Sequence, residues 1–208
     1  MLKAKGQLDE AIASYRKAIE LNPNDASAQN GLAQAQRLAV QDKLHAFLKG
    51  DFKPTTNDER LALAEQCKIK KRYLTSAGLY ADAFAADPKL ADNLKAGHRY
   101  NAACYAALAA AGQGEDAATL DDTEKTRLRK QALDWLRADL ALRTRQLESG
   151  QPADCAAVQQ QMKHWQQDND LAGIRDQAIL DKLPAAERNA IFRIWADVAA
   201  LLKKAQEK

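Results

Sequence analysis

The chain has 208 residues, with 31 Lys and Arg against 28 Asp and Glu and a net charge of +3 at neutral pH. That charge is spread as +2 over residues 1–50, +2 over 51–110, −1 over 111–150 and 0 over 151–208. No segment has the basic density of a chain built to hold nucleic acid or an anionic membrane. Glycine and β-branched residues are sparse beside Ala, Leu, Lys, Glu and Gln, which excludes a β-rich fold and predicts an all-α one.

Taken in order, Leu2–Lys5 read as the end of a helix and Gly6 as a turn, followed by a helix over Asp9–Leu21. Ala11, Tyr15, Ala18, Leu21 and Pro23 follow one another at intervals of four, three, three and two residues. With so little helix ahead of Gly6, one apolar face of Asp9–Leu21 is expected to lie uncovered. The start reads as falling inside a structural repeat, as in a fragment of a longer protein or a chain whose missing helix comes from elsewhere.

Asn24 or Asp25 can cap the next helix, a long one over Ala26–Leu48 that stops at Gly50. Phe52–Asn57 is a polar connector, and Asp58 is the expected cap of a helix over Glu59–Ile69. A turn bearing Lys68, Lys70, Lys71 and Arg72, read as a solvated basic run, leads to a helix over Arg72–Asp87. There Ser76, Tyr80, Ala83, Ala86 and Pro88 repeat the earlier intervals of four, three, three and two.

An alanine-dense helix is predicted over Leu94–Ala111, then an acidic, glycine-containing surface loop around Gly112–Glu124. A helix over Thr126–Leu147 follows, with Ala132, Leu136 and Leu140 as its packed face. Ala153–Asp168 reads as a helix and Asp170–Asp181 as a loop or short turn. Pro184 opens a last helix striped by Ile191, Ile194, Trp195, Val198 and Leu202, with Lys203, Lys204 and Lys208 near the negative end of its dipole. Trp135, Trp165 and Trp195 are evenly spaced, but their flanks differ, so each is read as a core residue of its own helix.

The doubled ladder resembles the tetratricopeptide repeat (TPR), whose unit is about 34 residues. The resemblance implies a TPR-like antiparallel helical-repeat solenoid. Residues 1–148 would hold the repeats, the first truncated and the third degenerate with an insertion near 112–124; residues 149–208 would form a C-terminal helical cap. From Leu44 onward the chain also resembles the C-terminal TPR region of planctomycete eukaryotic-like serine/threonine protein kinases. That likeness is carried by LALAEQCKIKKRYLTSAGLYADAFAADPKLADNLKAGHRYNAACYAALAAAGQGEDA, RKQALDWLRADLALR and LAGIRDQAILDKLPAAER. It implies a larger signalling protein, yet no glycine-rich nucleotide loop, VAIK-like lysine, HRD or DFG is present, so no kinase residue carries over.

Catalytic chemistry is not expected. Cys67, Cys104 and Cys155 form no CxxC pair, which excludes a disulfide framework and fits a reducing, cytoplasmic location. His45, His98 and His164 are isolated, so neither a metal site nor a cofactor is expected. The repeats predict binding of a protein or peptide on a concave face lined by first helices. On that register Asn30, Gln34, Arg37, Glu65, Lys68, Arg99, Asn101 and Tyr105 face the partner, with Asn and Arg as clamps and Tyr105 as an aromatic anchor. Two alternatives stand beside this. One is self-association, a homodimer through the truncated first repeat; the other is an unrecognised enzyme or ligand-binding helical domain.

Overall fold

The computed structural model describes residues 2–207, and the side chains of residues 7–207. It is all-α and TPR-like, with no strand among the described residues. The chain divides into two compact units, Met1–Gln66 and Cys67–Lys208.

In the first unit α1 (Leu2–Leu21) and α2 (Ala26–Leu48) form a helical hairpin around the turn at Asn22–Asp25. Asp25 makes that turn: its carboxylate accepts from the Ser27 and Ala28 amides at 2.9 and 3.0 Å, satisfying donors that a helix start leaves open. The expected break at Gly6 does not occur, and α1 runs through it. Glycine costs a helix interior only about 1 kcal/mol, which the 20-residue α1 tolerates. Gly31 in α2 has a packing role, since a Cβ there would collide with the Tyr15 ring. The ladder tyrosine of α1 therefore packs against the backbone of α2 at Gly31.

The helix α3 (Asn57–Ile69) opens on Thr56 rather than Asp58. Thr56 Oγ1 accepts from the Glu59 amide at 3.2 Å, while Glu59 reaches back to the Thr55 amide at 3.0 Å. This is a capping-box exchange displaced by one residue, and it leaves Asp58 exposed in the first turn.

The second unit is organised around α6 (His98–Ala110), in which Tyr100 and every residue from Ala102 to Ala110 are buried. Small side chains on all faces let neighbours approach from several directions. Those neighbours are α4 (Tyr73–Ala86), α7 (Asp122–Glu148) and a 3-10 helix (Asn169–Ile174). The start of α6 falls four residues later than the sequence reading. Asn93 accepts from the Lys95 and Ala96 amides, Gly97 takes φ +66°, and the residues after Pro88 form the short α5 (Lys89–Asp92). Asp121 caps α7 through the Glu124 amide at 2.8 Å, starting it four residues before Thr126. Ala132, Leu136 and Leu140 are its buried face, as expected.

The stretch expected as a surface loop is tied down. Asp116 accepts from the Leu74 amide, the Thr75 amide and the Thr75 hydroxyl at 3.3, 2.9 and 2.6 Å, capping α4 from outside its own sequence. The Glu115 amide donates to Lys71 O at 2.8 Å. Gly114, at φ +98°, lies so close that a Cβ would stand 2.5 Å from that same carbonyl. Beyond α7, α8 (Pro152–Gln167) packs on α10 (Ala185–Gln206), and both touch α7. The region expected as a loop or short turn near Asp170–Asp181 holds the 3-10 helix and the four-residue α9 (Gln177–Leu180). Trp195 anchors α10 by donating to Ile174 O at 2.6 Å.

Candidate protein-binding surface

The two ladders fold alike but are covered differently. In α4, Ser76, Tyr80 and Ala83 are each 0 % exposed, with the Tyr80 ring among Phe84, His98 and Tyr105. In α1 no described residue is buried: Ala11, Ile12, Tyr15, Ala18 and Ile19 are half-buried, and Leu21 is 80 % exposed. The same spacing thus yields a sealed core in one unit and an accessible apolar face in the other.

On α2, Ala28 and Ala35 face the hairpin while Asn30, Gln34 and Arg37 recur at i, i+4 and i+7 on the opposite, exposed side. Three polar side chains with spare donors and acceptors then line one exposed stripe, flanked by Leu38 at 44 % exposure. The other face of α2 meets α1 and α3 in a cleft of about 370 Å³ floored by Ile12, Ala39, Val40 and Ala62. At its rim Lys43 Nζ lies 2.7 Å from Glu59 Oε1. That bond and the Thr55 amide hold the Glu59 carboxyl down at about 2, against an ordinary 4.5.

The remaining expected residues are placed less favourably. Glu65 is half-buried in α3, and Lys68 is exposed near its end. Within the second unit Arg99 is mostly buried and paired with Asp92, and its charge also acts on Asp139. Asn101 is half-buried. Tyr105 is 4 % exposed, stacked on Tyr73 with ring centroids 6.2 Å apart. It is a core ring and not an exposed anchor, because α6 is enclosed on every side.

One cluster went unread in the sequence. Sγ of Cys104 on α6 and carboxylate oxygens of Asp168 and Asp170, at the α8–3-10 junction, all lie within 4.8 Å of one another. Tyr100 donates to Asp168 Oδ2 at 2.6 Å and stacks on Trp165, with ring centroids 5.3 Å apart. Asp168 Oδ1 accepts from the Asp170 amide at 2.9 Å, and His164 Nε2 lies 3.2 Å from Asp168 Oδ2. Burial, and then the Asp168 charge, pushes both the Cys104 thiol and the Asp170 carboxyl upward. Cys67 is held at about 12, chiefly by burial.

Among the described residues no helix is long and apolar enough to cross a membrane. A TPR repeat family model matches residues 1–37, which span α1 and the first half of α2 and contain the first ladder. No curated protein and no solved structure matches the chain.

Proposed function

We propose that the chain is a protein-interaction module of a larger signalling protein, working in the cytoplasm, that holds an extended peptide against the exposed stripe of α2. The observation that carries this reading is the TPR match over residues 1–37 together with the outward placement of Asn30, Gln34 and Arg37 on the matched hairpin. Amide side chains at i and i+4 can bridge the N–H and C=O of an extended backbone, and Arg37 supplies a forked donor for a carboxylate. Lys68 and Asn101 remain further candidate contacts in the second unit. Arg99 and Tyr105 are better read as supporting structure there. The proposed division keeps residues 1–148 as repeat-derived and 149–208 as the cap, in which α8 packs on α10. Residence in a reducing compartment is supported by three buried cysteines, none in a disulfide. Membership of a kinase-containing protein is supported by the resemblance described above.

The test is selection from a displayed peptide library on the full chain, with counter-selection on Asn30→Ala/Gln34→Ala/Arg37→Glu. Peptides enriched on the wild type and lost on the triple variant are expected. Enrichment that persists on the variant would refute the assignment of the face. A second reading, self-association, is favoured by the half-covered ladder of α1 and the 80 % exposure of Leu21. Sedimentation velocity across a concentration series separates the two, because a dimer that Ile19→Lys/Leu21→Lys dissociates places the interface on α1.

A further inference from the structure

We infer that Cys104, Asp168 and Asp170 form a zinc site, with the fourth coordination position open to water. The cluster differs from a surface patch of acids. Its thiol comes from α6, the most enclosed helix of the second unit, is 3 % exposed, and still directs Sγ toward two carboxylates from a separate element. A tetrahedral zinc ion separates its ligand atoms by roughly 3.5 Å, close enough to the 4.8 Å spread for side-chain rotation to close the shell. The combination of one soft thiolate with two hard oxygens selects zinc over magnesium or calcium, which take oxygen alone.

The surroundings act as a supporting shell. Tyr100 donates to Asp168 Oδ2 and fixes the carboxylate, the Asp170 amide holds Oδ1, and Arg175 donates to the Asp168 carbonyl at 2.6 Å. The titratable and charged groups facing the cluster are His164, 3.2 Å from Asp168, and Lys68, whose charge acts on Asp170. His164 is 54 % exposed and marks the solvent side, where an ion can enter past the half-buried carboxylates. On binding, the Cys104 S–H proton leaves to solvent as the sulfur–zinc bond forms. Affinity therefore falls as pH is lowered.

Chelator-stripped full-length protein should be titrated with Co²⁺ as an optical probe, followed by Zn²⁺ competition. The expected result is one equivalent bound with a thiolate-to-cobalt charge-transfer band, which Zn²⁺ abolishes. Cys104→Ala, an alanine among alanines on α6, should remove the band, and Asp170→Asn should weaken binding more than ~10-fold, the least that even outer-shell losses often cost. Cys67→Ala and Cys155→Ala should leave both unchanged. Circular dichroism checks each fold; if Cys104→Ala does not fold, Asp170→Asn on the accessible side decides alone. Absence of the band, its survival in Cys104→Ala, its loss in Cys67→Ala or Cys155→Ala, or full affinity in Asp170→Asn would overturn the site.

Discussion

Asp139 and Arg143 on α7 form an ion pair at 2.9 Å, with residue exposures of 1 % and 5 %. Taking both charges from water consumes most of what their attraction returns, so the pair adds little net stability. Removing one partner is another matter, because the survivor stays buried and uncompensated. Arg99, whose charge also acts on Asp139, keeps its own pair with Asp92 in either variant. Each single change, Asp139→Leu or Arg143→Leu, is expected to cost about 3–5 kcal/mol. At roughly 2–4 °C per kcal/mol for a chain of this size, that lowers Tm by about 6–20 °C. The double variant Asp139→Leu/Arg143→Leu should fall within about 1 kcal/mol of wild type, so the coupling in the cycle is several kcal/mol. Urea unfolding followed by circular dichroism measures all four forms, with unchanged m-values confirming a common denatured state. Single losses below about 1 kcal/mol, or a double loss equal to their sum, would show that the two charges are not coupled in the folded protein.

Asp116→Ala should destabilise the second unit by about 1–2 kcal/mol through the lost cap on α4, read as a lowered urea midpoint, and Asp116→Asn should recover part of it. Glu59 is predicted to stay ionised in the folded state until pH approaches about 2. Because its folded carboxyl binds the proton more weakly than the unfolded one at an ordinary 4.5, its contribution is full above that value and is lost as pH falls through about 2. Glu59→Gln should flatten this part of the acid-unfolding curve, and side-chain NMR titration gives the midpoint directly. Cys67, buried and held at about 12, should resist iodoacetamide at pH 8 until urea opens the fold; rapid labelling of the native protein would contradict the packing.

The bounds of α2 were legible from their local causes, whereas the starts of α6 and α7 were misread by four residues. Asp25 before Ala26 and Gly50 after Leu48 sit beside the amides and carbonyls they serve, and α2 begins and ends where those residues place it. The start of α4 was read to within one residue, but the side chain that caps it was not. Asp116 caps α4 from about forty residues away, and nothing in the acidic stretch of sequence distinguishes it from a solvated neighbour. The outward face of α2 could be read because its inward positions are alanines and its outward ones are polar. Tyr105 could not be read in that way, since alanine surrounds it on every side of α6 and no polar stripe shows which way the ring turns. Cys104 and Asp168 are 64 positions apart on separate elements. A search for ligand pairs at helical spacing passes over such a site, which exists only once α6 packs against the 3-10 helix.

On the proposed reading the exposed stripe of α2 holds a peptide. Fluorescence anisotropy of a labelled library-selected peptide, titrated with wild type and with Asn30→Ala/Gln34→Ala/Arg37→Glu, tests it most directly. At least ~10-fold weaker binding by the triple variant is expected, about 1.4 kcal/mol or more, with an unchanged melting temperature. Equal affinities for the two proteins would contradict it.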